Sequence, residues 1–200
     1  EVAEAVLGKD FCGILIRDGY AAWRRFEEAL HQTCLWHLLK RCRELAGSSA
    51  AGFAEAVRDL LKAALSLRER ILEMGPHGRS VALGRLEALT DRLLSAAPAD
   101  PDARRFRNHL LTEREHLYTF LEHPELDIPA ANADAERAVR YAIASRKISG
   151  GSRTWAGAES HGILTTAFRS LVQAGASVRD WTVRLLRSAV PLLLPPARPA

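Results

Sequence analysis

Two acids occupy positions where chemistry is possible. Asp18 follows Phe11 to Ile16, a short continuous apolar run with the pattern of a buried strand, and Gly19 comes directly after it. In sheets with helices on their faces, ligands collect outside the carboxyl ends of strands, so a carboxylate there is placed to hold a metal. The same Asp-Gly pair is also ordinary turn chemistry. Glu136 falls in the first turn of an expected helix and shares one face with Arg140, beside an apolar face of Ala135, Val139 and Ala142. A surface ion pair accounts for that spacing as well as a functional acid does. From Arg137 to Arg153 there are five basic residues, Arg137, Arg140, Arg146, Lys147 and Arg153, and no acid. Ser149, Gly150, Gly151 and Ser152 lie among them, and small residues let backbone N–H groups approach a phosphate that the cations would neutralise. A solvated basic face is the alternative.

His31, Cys34, His37 and Cys42 are zinc-ligand types in the order HxxCxxHxxxxC, but the spacing matches no finger. On a helix from residue 35 to 45, His37 and Cys42 point apart, which favours cysteines buried beside a core Trp36. No Ser/His/Asp arrangement, GxxxxGK[ST] loop or GxGxxG turn occurs, so the commonest hydrolase, nucleotidase and dehydrogenase classes are excluded. Three cysteines without framework spacing suit a reducing cytosol. The apolar stretch Ala189 to Leu194 contains Pro191 and is far shorter than the ~20 residues of a membrane span.

The elements that must position these residues are mostly helical. With 48% hydrophobic residues the chain can bury a core, and 28 Lys plus Arg against 24 Asp plus Glu make a polyanionic partner plausible. Phe11 to Ile16 is the one convincing strand. Helical spacing then runs over Tyr20 to Leu30, is interrupted by the polar segment His31 to Thr33, and resumes over Leu35 to Leu45. Three longer helices follow, predicted to pack as a bundle. Phe53, Val57, Leu60, Leu61, Ala64 and Leu65 line the first. Val81, Leu86, Leu89, Leu93 and Leu94 line the second, beyond Gly75-Pro76. Phe106, Leu110, Leu117, Phe120 and Leu121 line the third, which ends before Pro124. Asn132 or Asp134 caps a helix to about Ser145, Lys147 to Arg153 reads as a loop, and helices over Trp155 to Gln173 and Val178 to Val190 complete the chain. The tail Leu194 to Ala200 holds three prolines and reads as extended or disordered.

In this order the segments resemble the transposases of insertion-sequence family sixty-six, whose catalytic domain is ribonuclease H-like. LGKDFCGILIRDGYAAW at Leu7 to Trp23 is similar to the stretch around that family's second catalytic aspartate, and HQTCLWHLLKR at His31 to Arg41 to the segment after it. ADAERAVR at Ala133 to Arg140 resembles the glutamate motif, and RKISGGSRTWAG with QAGASV continues the likeness, which covers about nine tenths of the chain. The family's asparagine pair before the glutamate motif is here Asn132 followed by Ala133.

The resemblance implies that Asp18 and Glu136 are the second and third metal-binding catalytic carboxylates, holding Mg²⁺ or Mn²⁺ in the complete site. It places DNA along Arg137, Arg140, Arg146, Lys147 and Arg153. It further implies a mostly α chain: a truncated ribonuclease H-like α/β catalytic fold with a large helical insertion. Residues 1–47 are expected to form a partial core, 48–125 the insertion, 126–190 the C-terminal catalytic helices with the glutamate and basic loop, and 191–200 a proline-rich tail. Only seventeen residues precede Asp18, and Glu1, Glu4 and Asp10 are no substitute for the first catalytic aspartate, so the chain is expected to be inactive alone. The expected partners are transposon-end and target DNA, other copies of the full-length protein and accessory element-encoded proteins, in the bacterial cytoplasm at the nucleoid, with no membrane. The rival reading is a non-catalytic helical DNA-binding or interaction module, a mobile-element remnant; a zinc-stabilised helical domain is the third.

Overall fold

The computed structural model describes residues 2–195; residue 1 and the last five residues of the proline-rich tail lie outside the described residues. The described chain is mostly helical, 67% helix against 4% strand, as expected. It divides into two compact units, Glu1–Ala133 and Asp134–Ala200.

The first unit opens with helix α1 (Val2–Leu7) and then strand β1 (Ile14–Arg17). The expected strand began at Phe11; it starts instead after Gly13 and runs one residue further, to the buried Arg17. The expected helix over Tyr20 to Leu30 does not form. A 3₁₀ segment, Ala21–Arg25, takes its first part, and strand β2 (Leu30–Thr33) follows. β2 lies parallel to β1, with Ile14 opposite Leu30 and Arg17 opposite Thr33. The chain between them is the crossover that a parallel pair requires.

The polarity of His31, Gln32 and Thr33 concealed β2. All three are buried, and their polar atoms are matched instead of solvated. Gln32 Nε2 donates to the carbonyls of Thr33 at 2.6 Å and Leu117 at 3.2 Å, while its Oε1 accepts from the N–H of Phe120 at 2.9 Å. The Thr119 hydroxyl donates to the carbonyl of His31 at 2.6 Å. β2 is therefore fastened to the segment after residue 116 by polar contacts.

Helix α2 (Leu35–Leu45) has the expected bounds and buries Leu35, Leu38, Cys42 and Leu45. Trp36 is 43% exposed, not a core residue, because it lies one position off that stripe. α3 (Ala51–Ile71) buries Ala54, Val57, Leu61, Ala64, Leu67 and Ile71 at helical spacing and packs on α2. α4 (Pro76–Ser95) starts with Pro at its first position, where the missing N–H has no partner to lose, and buries Leu86, Thr90 and Leu94. Leu89 and Val81, expected on that face, are exposed.

α5 (Pro101–Thr112) is capped by Asp100, whose Oδ1 accepts from the N–H groups of Asp102 and Ala103, both at 2.9 Å. The expected single helix to Pro124 is broken: α5 ends at Thr112, a 3₁₀ turn spans Arg114–His116, and a one-turn helix α6 (Thr119–Glu122) follows. The break turns Leu117, Tyr118, Phe120 and Leu121 inward, all buried, with the Tyr118 and Thr90 hydroxyls 2.7 Å apart. The core cluster runs from Leu35 to Ala130 and joins α2 to α6.

The second unit holds α7 (Ala133–Ser149), α8 (Trp155–Gln173) and α9 (Val178–Arg187). α7 extends four residues past the expected end, so Lys147 to Ser149 are helical and the expected loop shrinks to 150–154. Gly150 and Gly151 have φ of 74° and 85°, the left-handed geometry that ends a helix without a Cβ clash. α8 has the expected bounds, with the Thr154 hydroxyl accepting from Gly157 N–H at 3.1 Å. α9 stops at Arg187, three residues early. No described helix is long and apolar enough to cross a membrane.

Candidate functional site

Asp18 is the first residue after β1 and is exposed at the open end of the parallel pair. Its Oδ1 accepts from Tyr20 N–H at 3.0 Å, so the turn expected of Asp-Gly does form, using one of the two carboxylate oxygens. Gly19 has φ +87°, and a Cβ there would lie 2.7 Å from His109 Cε1. The imidazole of α5 is thus packed against the residue next to Asp18.

Beneath Asp18 the structure builds a buried polar network. Arg17 is 2% exposed and Glu113, at the C-terminal cap of α5, is 0% exposed. Arg17 Nη1 stands 2.6 Å from Glu113 Oε2, a charge contact rather than an aligned hydrogen bond. Thr33 Oγ1 donates to the same oxygen at 2.9 Å, and Arg24 Nη2 donates to Oε1 at 2.8 Å. Arg17 Nε donates to His31 Nδ1 at 3.0 Å, which fixes the tautomer, and His31 Nε2 then donates to the carbonyl of Phe26 at 2.9 Å. Burial alone would raise the pKa of Glu113. The hydrogen bond from Arg24, the charge of Arg17 and the Thr33 hydroxyl outweigh it and hold the carboxyl below its ordinary 4.5. The network ties the ends of both strands to α5.

A cavity of about 260 Å³ opens beside Asp18, lined by His37, Leu38 and Arg41 of α2 and by Arg105, Phe106 and His109 of α5. Burial holds His109 below its ordinary 6.5; the opposing charge of Glu113 is not enough to reverse this, and Arg24 and Arg17 add to the lowering. His109 is therefore neutral at pH 7, and the arginines supply the positive charge.

In the second unit, Glu136 occupies the first turn of α7, as expected, and is half-buried. Ala135 and Val139, expected on an apolar face beside it, are exposed. Arg137 pairs with Asp134 at 3.2 Å. Arg137, Arg140, Arg146, Lys147 and Arg153 are all exposed, with Arg146 and Lys147 in the last turn of α7, where cations oppose the helix dipole favourably. Asp18 and Glu136 thus belong to different units.

The family model described as Transposase IS66 family matches residues 1–160. The chain belongs to the IS66 transposase family. No curated protein matches, and no solved structure does. The matched span includes Asp18, α5, Glu136 and the five basic residues.

In this IS66-family chain, His31 has both ring nitrogens engaged, and Cys34 Sγ donates to Asn132 Oδ1 at 3.1 Å. A zinc ion on that set would have to displace these contacts. Asn132 thereby gains a structural contact from the first unit's own chain. Sequence reasoning missed Glu113, Arg17, Arg24 and Thr33. The available signal was the spacing Arg105, His109, Glu113, three polar residues at i, i+4 and i+8 on one face of α5, opposite in character to Phe106 and Leu110.

Proposed function

We propose that these residues carry the second and third carboxylates of a metal-dependent DNA transposase site, Asp18 and Glu136, within a ribonuclease H-like catalytic fold bearing a helical insertion. The observation that carries this reading is Asp18 itself, exposed at the end of a strand whose last residue is locked by a buried ion pair, in a chain of the IS66 transposase family. A parallel pair, β1 and β2, with a carboxylate at its open end is where such a fold places a metal ligand.

The donor chemistry fits Mg²⁺ or Mn²⁺: both residues offer hard carboxylate oxygens, and one Asp18 oxygen is already oriented by the Tyr20 N–H. When bound, the ions of such a site stabilise the attacking and leaving oxygens of an in-line phosphoryl displacement. Asp18 would hold its oxygens in place through the strand end, and Glu136 through the first turn of α7. Arg137, Arg140, Arg146, Lys147 and Arg153 would bear on the phosphates of transposon-end and target DNA, and that binding should weaken steeply with salt. These 200 residues supply two of the three carboxylates, so on this reading they catalyse no strand transfer by themselves. Homo-oligomers, accessory partners and a place at the nucleoid are extensions of the same reading.

Cleavage of labelled transposon-end DNA by the full-length enzyme in Mg²⁺ and in Mn²⁺ tests it. Asp18→Ala and Glu136→Ala should each abolish cleavage and weaken DNA binding in Mg²⁺ by no more than about threefold. Retained cleavage in either variant would show the carboxylates misassigned. The rival, a DNA-binding module without chemistry, rests on the exposed basic residues and expects binding that no metal alters, with no cleavage even in the full-length context.

A further inference from the structure

The cavity beside Asp18 has a composition that a turn or a packing defect does not explain. α2 and α5, which are not consecutive, bring Arg41 and Arg105 to the lining of one opening of about 260 Å³ that also includes the Asp18 carboxylate. Arg41 is 41% exposed and contacts Glu44 at 3.2 Å; Arg105 is 76% exposed and contacts Asp102 at 2.9 Å. Both are water-screened pairs on the surface of one helix, so the guanidiniums exchange them readily for a stronger anion. Leu38 and Phe106 supply the apolar part of the wall, and both are buried, so the opening is backed by core and not by loops.

The α5 side of the wall is tied to the chain on both sides of Asp18. Arg105 and His109 lie four residues apart on α5 and Glu113 caps it: Glu113 grips Arg17 on one side of Asp18, and His109 packs on Gly19 on the other. Contacts on both chain neighbours of the carboxylate thereby hold the helix that carries Arg105 beside Asp18.

We propose that this cavity is a phosphodiester subsite, in which one backbone phosphate of a DNA strand lies between Arg41 and Arg105 and adjoins Asp18. It deepens the transposase reading and rests on it, because it makes the helical insertion part of the surface that presents DNA to the carboxylate. Guanidinium suits a phosphate, because its planar fork aims two parallel donors at the phosphate oxygens. Without metal, the Asp18 charge should oppose the phosphate, and that coupling can be measured.

The test uses fluorescence anisotropy of a short labelled duplex with this chain, in EDTA, across a salt series. The double variant Arg41→Gln with Arg105→Gln should bind at least tenfold more weakly at 100 mM salt, with the log–log salt slope reduced by roughly 0.9 for each phosphate no longer neutralised. Arg85→Gln, on the exposed side of α4, should bind as the parent does. Asp18→Asn should tighten metal-free binding severalfold in the parent, and this gain should vanish in the double variant. Circular dichroism checks that the folds are equal, which is expected because neither arginine is buried. Unchanged affinity and slope in the double variant, or an Asp18→Asn gain that survives in it, overturns the subsite. Cleavage by the full-length Asp18→Ala enzyme judges the carboxylate reading separately: its persistence would sink that reading even if the subsite binds DNA, and its loss would leave that reading standing even if the subsite does not.

Discussion

A carboxylate with no solvent exposure is tolerated only when its charge is matched and its lone pairs are filled. Glu113 meets both conditions through Arg17, Arg24 and Thr33. The contact with Arg17 matters more than that with Arg24, because Arg24 is 41% exposed and water screens it. Removing one partner of a buried pair leaves the other charge stranded, so Glu113→Ala should cost about 3–5 kcal/mol in a urea unfolding experiment. A loss below ~1 kcal/mol would mean that Arg17 finds water or another partner when Glu113 is gone. The folded-state pKa of Glu113 is depressed below 4.5. A depressed carboxyl contributes stability above its unfolded pKa and loses it as pH falls through the folded value, so the contribution is complete at pH 7, starts to fall near 4.5 and is gone only below the depressed folded value. Stability measured between pH 7 and pH 3 should therefore fall less steeply in Glu113→Gln than in the parent; parallel slopes would show that other carboxylates govern acid unfolding.

At the scale of elements, β1 ends in a turn whose geometry favours glycine. Gly19 has φ +87°, and an added Cβ would meet the His109 ring at 2.7 Å. Both costs act together in Gly19→Ala: the left-handed conformation alone costs ~1–2 kcal/mol, and the ring must move as well. The variant should lose at least about 1 kcal/mol of stability, and the additional substitution His109→Ala should recover part of the loss by making room. No recovery would mean that conformation is the whole penalty. Legibility in the sequence divides along the same line. α2, α3 and α8 were legible because their apolar residues recur at helical spacing, and Gly75-Pro76 and Asp100-Pro101 mark helix starts with local chemistry. β2 was not, since a pattern of apolar residues cannot reveal a strand that buries His31, Gln32 and Thr33 by hydrogen bonding. For the same reason the break after α5 was invisible. Glu113 looked like one more polar residue of a long helix, whereas its burial depends on Arg17 and Thr33, roughly eighty residues and more away in sequence. Asp18 could be placed at a strand end from the apolar run before it, but what holds that strand end is long-range and left no local trace.

Across the molecule, the two units differ in how they are held together. Every member of the core cluster lies between Leu35 and Ala130, inside the first unit, and that unit also contains both strands and the Glu113 network. In the second unit, Leu171 is the one buried apolar side chain among the described residues, while Ile148, Trp155 and Leu186 are each at least 80% exposed. Full burial of one leucine contributes ~1.5–3 kcal/mol, whereas ordering each backbone residue costs ~1–2 kcal/mol. Caps at Thr154 and Ser177 add only ~1 kcal/mol each. Residues 1–133 made alone should accordingly melt cooperatively with a strong helical circular dichroism signal. Residues 134–200 made alone should show weak helicity that declines gradually with temperature and bind a hydrophobic dye, because an apolar surface of that size without a core is not a stable end state. If 1–133 fails to melt cooperatively, its core depends on the second unit; if 134–200 melts sharply, its helices find a core that single-leucine burial does not account for. The same pair of fragments also separates the two charged surfaces, since DNA binding retained by 1–133 must come from cations such as Arg41 and Arg105, with Arg137 to Arg153 removed.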